Sequence, residues 1–152
     1  MMKQPILLLF IGLLIEFGAK AQQLSPVKWK YSAARVDSKT WEIHLTASME
    51  QGWHIYSQYQ PKEAIAVPTK IRFTKNPLID SNGKISEVGK KEEQTIKELD
   101  IVQYQYAGTV DFVQKIVLKA PVQTTISGTV IFQVCTNQLC LPPKEEVFSV
   151  VL

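Results

Sequence analysis

The sequence holds only two cysteines, Cys135 and Cys140, both in the run Thr129 to Leu152, TVIFQVCTNQLCLPPKEEVFSVVL. An apolar stretch, Val130 to Val134, leads into the first, and Leu141-Pro142-Pro143 follows the second. Two β-rich runs joined by the polar loop Thr136-Asn137-Gln138 read as a hairpin. Paired positions on antiparallel strands approach closely enough for a disulfide. Pro142 and Pro143 cannot donate ladder hydrogen bonds, so the return strand starts late or lies at an edge. The pair is therefore expected near one end of a sheet, within reach of solvent. Parity adds that Ile126, Gly128, Val130, Phe132 and Val134 share one strand face. Cys135 falls on the other, more polar face, pointing away from the expected core.

Two uses of such a pair stand side by side. One is a structural staple, which for so short a ring contributes about 2 kcal/mol. The other is thiol–disulfide exchange, which needs two thiols that alternate between paired and free and a path for an incoming thiolate. Spacing alone leaves both open. The loop contains no Lys or Arg, and a hairpin supplies no helix dipole, so nothing marks an activated thiolate. That favours a disulfide attacked by others, an electron carrier, over one that attacks.

Other chemistries find less support. Cys135, Cys140, His44 and His54 do not have the tight Cys and paired His spacing of zinc sites. A copper site using Met49 is no better founded, and no metal or cofactor is expected. His44 lies on the polar parity of its strand and is expected in solvent. Cysteine hydrolysis would need a His base, and nothing places His54 as one. No phosphate loop, paired-carboxylate motif or Ser-His-Asp signature occurs. The formal charge of +3 gives no case for a nucleic-acid partner. Lys28 and Lys30, and the run Lys90 to Glu93, read as solvated faces.

The elements that would position the cysteines are short strands. Val27 to Val36, a turn at Asp37-Ser38-Lys39, and Trp41 to Met49 form a hairpin. In the latter, Trp41, Ile43, Leu45, Ala47 and Met49 alternate with polar residues. Trp53 to Tyr56 starts a further strand. Ser57 to Pro68 reads as irregular, and Lys70 to Thr74 as a short strand. Lys84 to Val88 reads as a short edge strand. Gly89 to Asp100 is the most charged stretch; it reads as a loop, because only Ile96 and Leu99 would anchor a helix. Thr109 to Lys119, Thr124 to Cys135 and Val147 to Leu152 complete the set. Seven to nine short strands with almost no helix indicate an all-β sandwich.

The start of the chain reads as a secretory leader. Met1-Met2-Lys3 is basic, Pro5 to Ile15 is apolar, and Ala19-Lys20-Ala21 is a small-x-small cleavage site. Glu16 ends the apolar run well short of a membrane span. Residues 1–21 are thus expected to be a signal peptide and residues 22–152 a single domain. Such a domain buries a core without disulfide support. Export places the cysteines where a disulfide is permitted.

CTNQLCLPP after a β-branched strand resembles the cysteine hairpin of the amino-terminal domain of the DsbD family, a Cys pair followed by an aromatic or Leu and Pro-Pro. Gln51-Gly52-Trp53-His54-Ile55-Tyr56 resembles that family's Gly-aromatic-aromatic-apolar-Tyr strand. Tyr104-Gln105-Tyr106-Ala107-Gly108 resembles its aromatic loop ending in Gly. The three matches fall in the family's order. The resemblance implies an immunoglobulin-like fold and a redox-active Cys135–Cys140 pair. It also implies supporting aromatics beside the disulfide: Tyr56 matches a family Tyr, His54 stands where the family has Tyr, and Tyr106 matches the covering aromatic. The family's neighbouring acidic residues are replaced by Gln105.

The resemblance further implies periplasmic thiol–disulfide interchange. Electrons would come from a membrane thiol transporter or thioredoxin-like donor and pass to oxidised exported proteins, the chain being a protein-disulfide reductase component. The competing reading is an exported β-sandwich binding module with an inert disulfide. The leader carries its own expectation: amino-terminal sequencing of the exported protein should begin near Gln22, and an intact Met1 on a membrane-retained product would contradict it.

Overall fold

Period-two patterning builds the first hairpin. In the computed structural model, which describes residues 24–152, β1 (Val27–Arg35) and β2 (Thr40–Met49) pair antiparallel from Val27↔Met49 to Arg35↔Trp41. Asp37 closes the turn, its Oδ1 accepting the peptide N–H of Lys39 and of Thr40 at 2.8 Å each. This local side-chain acceptor is what favours Asp in turns. On β2, Ile43, Leu45 and Ala47 are fully buried, as alternation requires of a strand with one face on a core. The leader expected at 1–21 lies outside the described residues.

The chain continues through β3 (His54–Tyr56), β4 (Lys70–Phe73), β5 (Ile79–Ile96), β6 (Ile101–Leu118), β7 (Thr125–Phe132), β8 (Val134–Cys135) and β9 (Lys144–Val151). No helix occurs among the described residues. One sheet has the order β1-β2-β6-β3-β8, with β5 also paired to β6; the second has the order β4-β7-β9. The expected all-β, immunoglobulin-like sandwich is the architecture found.

Aromatic rings fill the space between the sheets. Trp29 and Phe112 come from the larger sheet, Phe73, Phe132 and Phe148 from the smaller. Ring centroids lie 5.3 Å apart for Trp29–Phe132, 5.9 Å for Trp29–Phe112 and 5.3 Å for Phe73–Phe148. Tilted and edge-on pairs at this range add roughly 0.5–1.5 kcal/mol each beyond burial. Around them Ile43, Leu45, Val110, Ile116, Ile126 and Val130 are closed to solvent.

Two stretches differ from the sequence reading. The short edge strand expected at Lys84 to Val88 and the loop expected at Gly89 to Asp100 are one strand, β5, which runs to Ile96. It pairs with β6 down to Ile96↔Ile101, with register shifts at Asn82/Ser86 and Gly89/Lys91. Its charges are compatible with a strand because they alternate: Glu92, Gln94 and Ile96 are half-buried, whereas Lys91, Glu93 and Thr95 are exposed. The reversal between β5 and β6 is closed by Leu99 N–H to Ile96 C=O at 3.1 Å, with Asp100 at φ 53°. The aromatic loop expected at Tyr104 to Gly108 is likewise strand, because β6 continues through Gly108 (φ 73°).

Gly128 is fixed by packing. It pairs with Phe148 on β9 and with Phe73 on β4. A Cβ there would stand 2.3 Å from the Arg72 carbonyl oxygen and 2.6 Å from Phe148 Cζ. Gly128→Ala should therefore lower unfolding free energy by roughly 1–3 kcal/mol, the usual cost of overpacking. Denaturant melts followed by tryptophan fluorescence would register it, and an unchanged midpoint would contradict the packing argument.

Candidate functional site

The site is made where one strand changes sheets. β7 lies between β4 and β9 in the smaller sheet. Gln133 interrupts it, and the chain re-enters the larger sheet as β8, pairing with β3 at His54↔Cys135 and Ile55↔Val134. The Gln133 side chain secures the crossing by donating from Nε2 to the Leu141 carbonyl at 3.1 Å. Ile55 and Val134 belong to the core. Strand side chains alternate, so Cys135 and His54 share the opposite, outer face.

Cys135 and Cys140 are joined by a disulfide, with Cα atoms 4.1 Å apart. They face each other in an isolated antiparallel bridge. The flanking peptide bonds run from Leu141 N–H to Val134 C=O at 3.0 Å and from Thr136 N–H to Leu139 C=O at 2.7 Å. The cysteines thus occupy a non-hydrogen-bonded pair, the position where opposed side chains come closest. Thr136 Oγ1 accepts from the N–H of Gln138 at 3.2 Å and of Leu139 at 3.0 Å, which fixes the turn.

The two cysteines differ in exposure. Cys140 is exposed, whereas Cys135 has no accessible surface. The expectation of a solvent-facing pair holds for Cys140 and fails for Cys135. Parity placed Cys135 on the outer face correctly, but that face is not open. The 57–68 segment and the far half of β5 stand around it. A cleft of about 370 Å³ in front of Cys140 is lined by residues that include Ile65, Ala66, Gln94, Ile96 and Gln103. No charged side chain lines that cleft.

His54 and Tyr56 join Cys135 on the outer face. Their rings meet edge-on at 5.3 Å, with His54 Nε2 and Tyr56 Oη 3.5 Å apart. Both are buried. Burial pushes the Tyr56 hydroxyl above its usual range, and a hydrogen bond from Gln103 opposes part of that. Burial also lowers the His54 titration, while the negative charge of Glu92 acts the other way.

Tyr106 does not cover the disulfide. It pairs with Ile55 and is 2% exposed within the core, so it lies on the opposite sheet face from both sulfurs. Its hydroxyl donates to Glu87 Oε2 at 2.9 Å. Burial and that carboxylate push the hydroxyl well above the tyrosine range. Glu87 also accepts from Ser57 Oγ at 2.6 Å and from Gln58 N–H at 2.7 Å. Tyr106 is thus part of a clasp that holds the start of the 57–68 segment. His44, expected in solvent, instead has Nδ1 2.7 Å from Asp111 Oδ2 across β2 and β6.

Several site residues escaped the sequence reading. Register sets Glu92 opposite Gln105 and Gln94 opposite Gln103 on the outer face. Gln103 accepts from Ala66 N–H at 3.2 Å and donates to Gln94 Oε1 at 3.0 Å. An acidic group, Glu92, therefore acts on the site although none was expected. The alternation of Glu92, Gln94 and Ile96 carried the signal, but a loop assignment hides it.

Residues 20–152 match the family described as thiol:disulfide interchange protein DsbD, N-terminal. The fold is similar to that of the N-terminal periplasmic domain of ScsB from Proteus mirabilis, at TM-score 0.52 and 15% identity. That match covers 83% of this chain and 44% of the other, so the chain spans less than half of the ScsB structure. It is also similar to a structure of the complex between the DsbD N-terminal and PilB N-terminal domains from Neisseria meningitidis. There the TM-score is 0.51 and the identity 15%, over 84% of this chain and 87% of the other. At this identity the likeness concerns the fold. No curated protein sequence matches the chain.

Because the ring is short and the core lies elsewhere, reduction of Cys135–Cys140 should leave the sandwich folded, with a loss near 2 kcal/mol. Thermal unfolding of oxidised and reduced protein, compared at one pH, measures this. A loss above about 4 kcal/mol would identify a structural staple.

Proposed function

Since this chain belongs to the DsbD amino-terminal family of thiol:disulfide interchange proteins, we propose that Cys135 and Cys140 carry electrons between proteins. The donor would be a membrane thiol transporter or thioredoxin-like protein, and the acceptors oxidised exported proteins. The periplasm is the proposed compartment, supported by the leader-like start of the sequence and by the periplasmic setting of the ScsB domain. The single observation that carries the reading is the asymmetry of the disulfide, one cysteine exposed and its partner closed to solvent.

The exchange follows from that asymmetry. A donor thiolate attacks the Cys140 sulfur, and the Cys135–Cys140 bond breaks. The electron pair leaves on Cys135, which takes up a proton. A second donor thiol then attacks the donor sulfur of the mixed disulfide, leaving the domain with two thiols and the donor oxidised. In the forward half, the Cys140 thiolate attacks an acceptor disulfide and expels one acceptor thiolate. Cys135 then attacks Cys140, expelling the second and restoring the internal disulfide.

The surroundings suit a protein partner. Leu139 and Ile65 are 54% and 61% exposed and line the cleft in front of Cys140. They give the attacked sulfur an apolar rim. After Cys140 the return segment keeps the Leu141 N–H bond to Val134 C=O, but Pro142 and Pro143 lack peptide donors and cannot extend the ladder. The complex formed by the Neisseria DsbD domain with a PilB domain is a further support.

The test is directional. Cys135→Ala should trap partners as mixed disulfides through Cys140, visible on non-reducing gels of periplasmic extracts. Cys140→Ser should trap few or none. Equal trapping by both would show that access does not distinguish the sulfurs, and no trapping by either would point to an inert bond.

A further inference from the structure

We propose that His54 is the base that activates Cys135 for the resolving step of exchange. The inference rests on the redox-pair reading above and adds the group that moves its proton. Cys135 is fully buried, so once reduced it has no solvent to take its proton. Burial in uncharged surroundings raises a thiol's pKa, and the thiol form is a poor nucleophile. A resolving cysteine in this position needs a proton acceptor at its side.

Register supplies one. His54 is the direct antiparallel partner of Cys135, and opposed side chains on one face stand about 5 Å apart at Cβ. The imidazole is 3% exposed. On its face lie Tyr56 of its own strand, Cys135 of β8, Gln105 and Ala107 of β6, and Glu92 of β5. Burial keeps the ring neutral near pH 7, the form that accepts a proton.

The same face is equipped for the charged form. Gln105 is 8% exposed, and its Oε1 is buried without a hydrogen-bond partner. A buried acceptor of this kind usually has a partner. An imidazolium at His54 adds an N–H on that face, and Glu92 provides the compensating charge. In the disulfide state the Gln105 oxygen has no such donor.

The step balances. With Cys140 in a mixed disulfide, the Cys135 proton passes to His54. The Cys135 thiolate attacks the Cys140 sulfur, and the bond to the acceptor breaks. The electron pair leaves with the acceptor sulfur, and the imidazolium gives up its proton to that thiolate. Cys135 and Cys140 end oxidised, the acceptor reduced and His54 neutral.

An aromatic disulfide whose released thiolate absorbs visible light separates the two steps. Mixed in equimolar amount with the reduced domain, it releases one thiolate when Cys140 attacks and a second when Cys135 resolves. In His54→Gln the first phase should be unchanged, and the second should slow by about a hundredfold at neutral pH. The wild-type second phase should rise with pH through an inflection below the ordinary histidine value of about 6.5. In His54→Gln it should rise only with the thiol's own ionisation, above about 8.5. Glu92→Gln keeps the ring in place and removes a charge that raises its titration, so the inflection should move to lower pH. A second phase in His54→Gln with wild-type rate and profile overturns the inference, as does an inflection that stays put in Glu92→Gln. Equal slowing of both phases also overturns it, because it would reflect access and not proton transfer. A wild-type protein that releases only one thiolate would instead overturn the redox-pair reading itself.

Discussion

One strand passes from the smaller sheet into the larger at Gln133, and the site depends on that passage. β7 contributes Ile126, Val130 and Phe132 to the core from one sheet. Had it continued in the same sheet, Cys135 would have ended beyond β4, on an outer face far from β3. By crossing, the chain brings Val134 against Ile55 and Cys135 against His54. The same crossing leaves the return segment on the open side of β8, tied only by the bonds at Leu141 and Leu139. Sheet pairing on one side and a short turn on the other account for one buried and one exposed cysteine.

The disulfide holds little of the fold in place. Its ring joins residues that the turn already brings together, so its entropic contribution sits at the low end of the usual range. Ring contacts that join the two sheets include Trp29 with Phe132 and Tyr31 with Phe148, none of which involves a cysteine. Opening the bond frees the hairpin tip but leaves β3 and β8 paired through their own peptide groups. A bond with this placement suits repeated making and breaking, because the scaffold that presents it does not depend on it.

Much of this was legible in the sequence because strand alternation is a local signal. The β1–β2 hairpin, the Asp37 turn, the core parity of Ile126 to Val134 and the cysteine turn follow from neighbouring residues. The misses share a cause. The far half of β5 reads as a charged loop because its stabilising partner, Ile101 to Tyr106, lies outside every strand that the pattern assigns. Each half of that arm is credible as strand only in the presence of the other. Tyr106 was misplaced for the same reason: a residue in a covering loop can face the sulfurs, but one paired with Ile55 must face the core. His54 was identified by position in a motif, yet its pairing with Cys135 needs the crossing at Gln133, and nothing local encodes that.

Burying one sulfur of an exchanging pair has two opposed effects in the proposed reaction. It lets only Cys140 be attacked from outside, so a foreign thiol cannot strand the domain in a mixed disulfide through Cys135. It also withdraws Cys135 from the water that would ordinarily carry its proton away. The first effect follows from sterics, because thiol attack requires approach to the sulfur itself. The second is electrostatic and would slow resolution unless a local acceptor replaced the solvent. Proximity works in the opposite direction. Cys135 is held across a bridge from Cys140, and well-oriented intramolecular partners reach effective concentrations of about 10⁵ M or more. Geometry therefore makes resolution fast once the thiolate exists, and the supply of thiolate becomes the controlling quantity. In a β-hairpin with no helix dipole and no basic residue in its loop, that supply has to come from the adjacent strand. The residue that β3 presents there is His54.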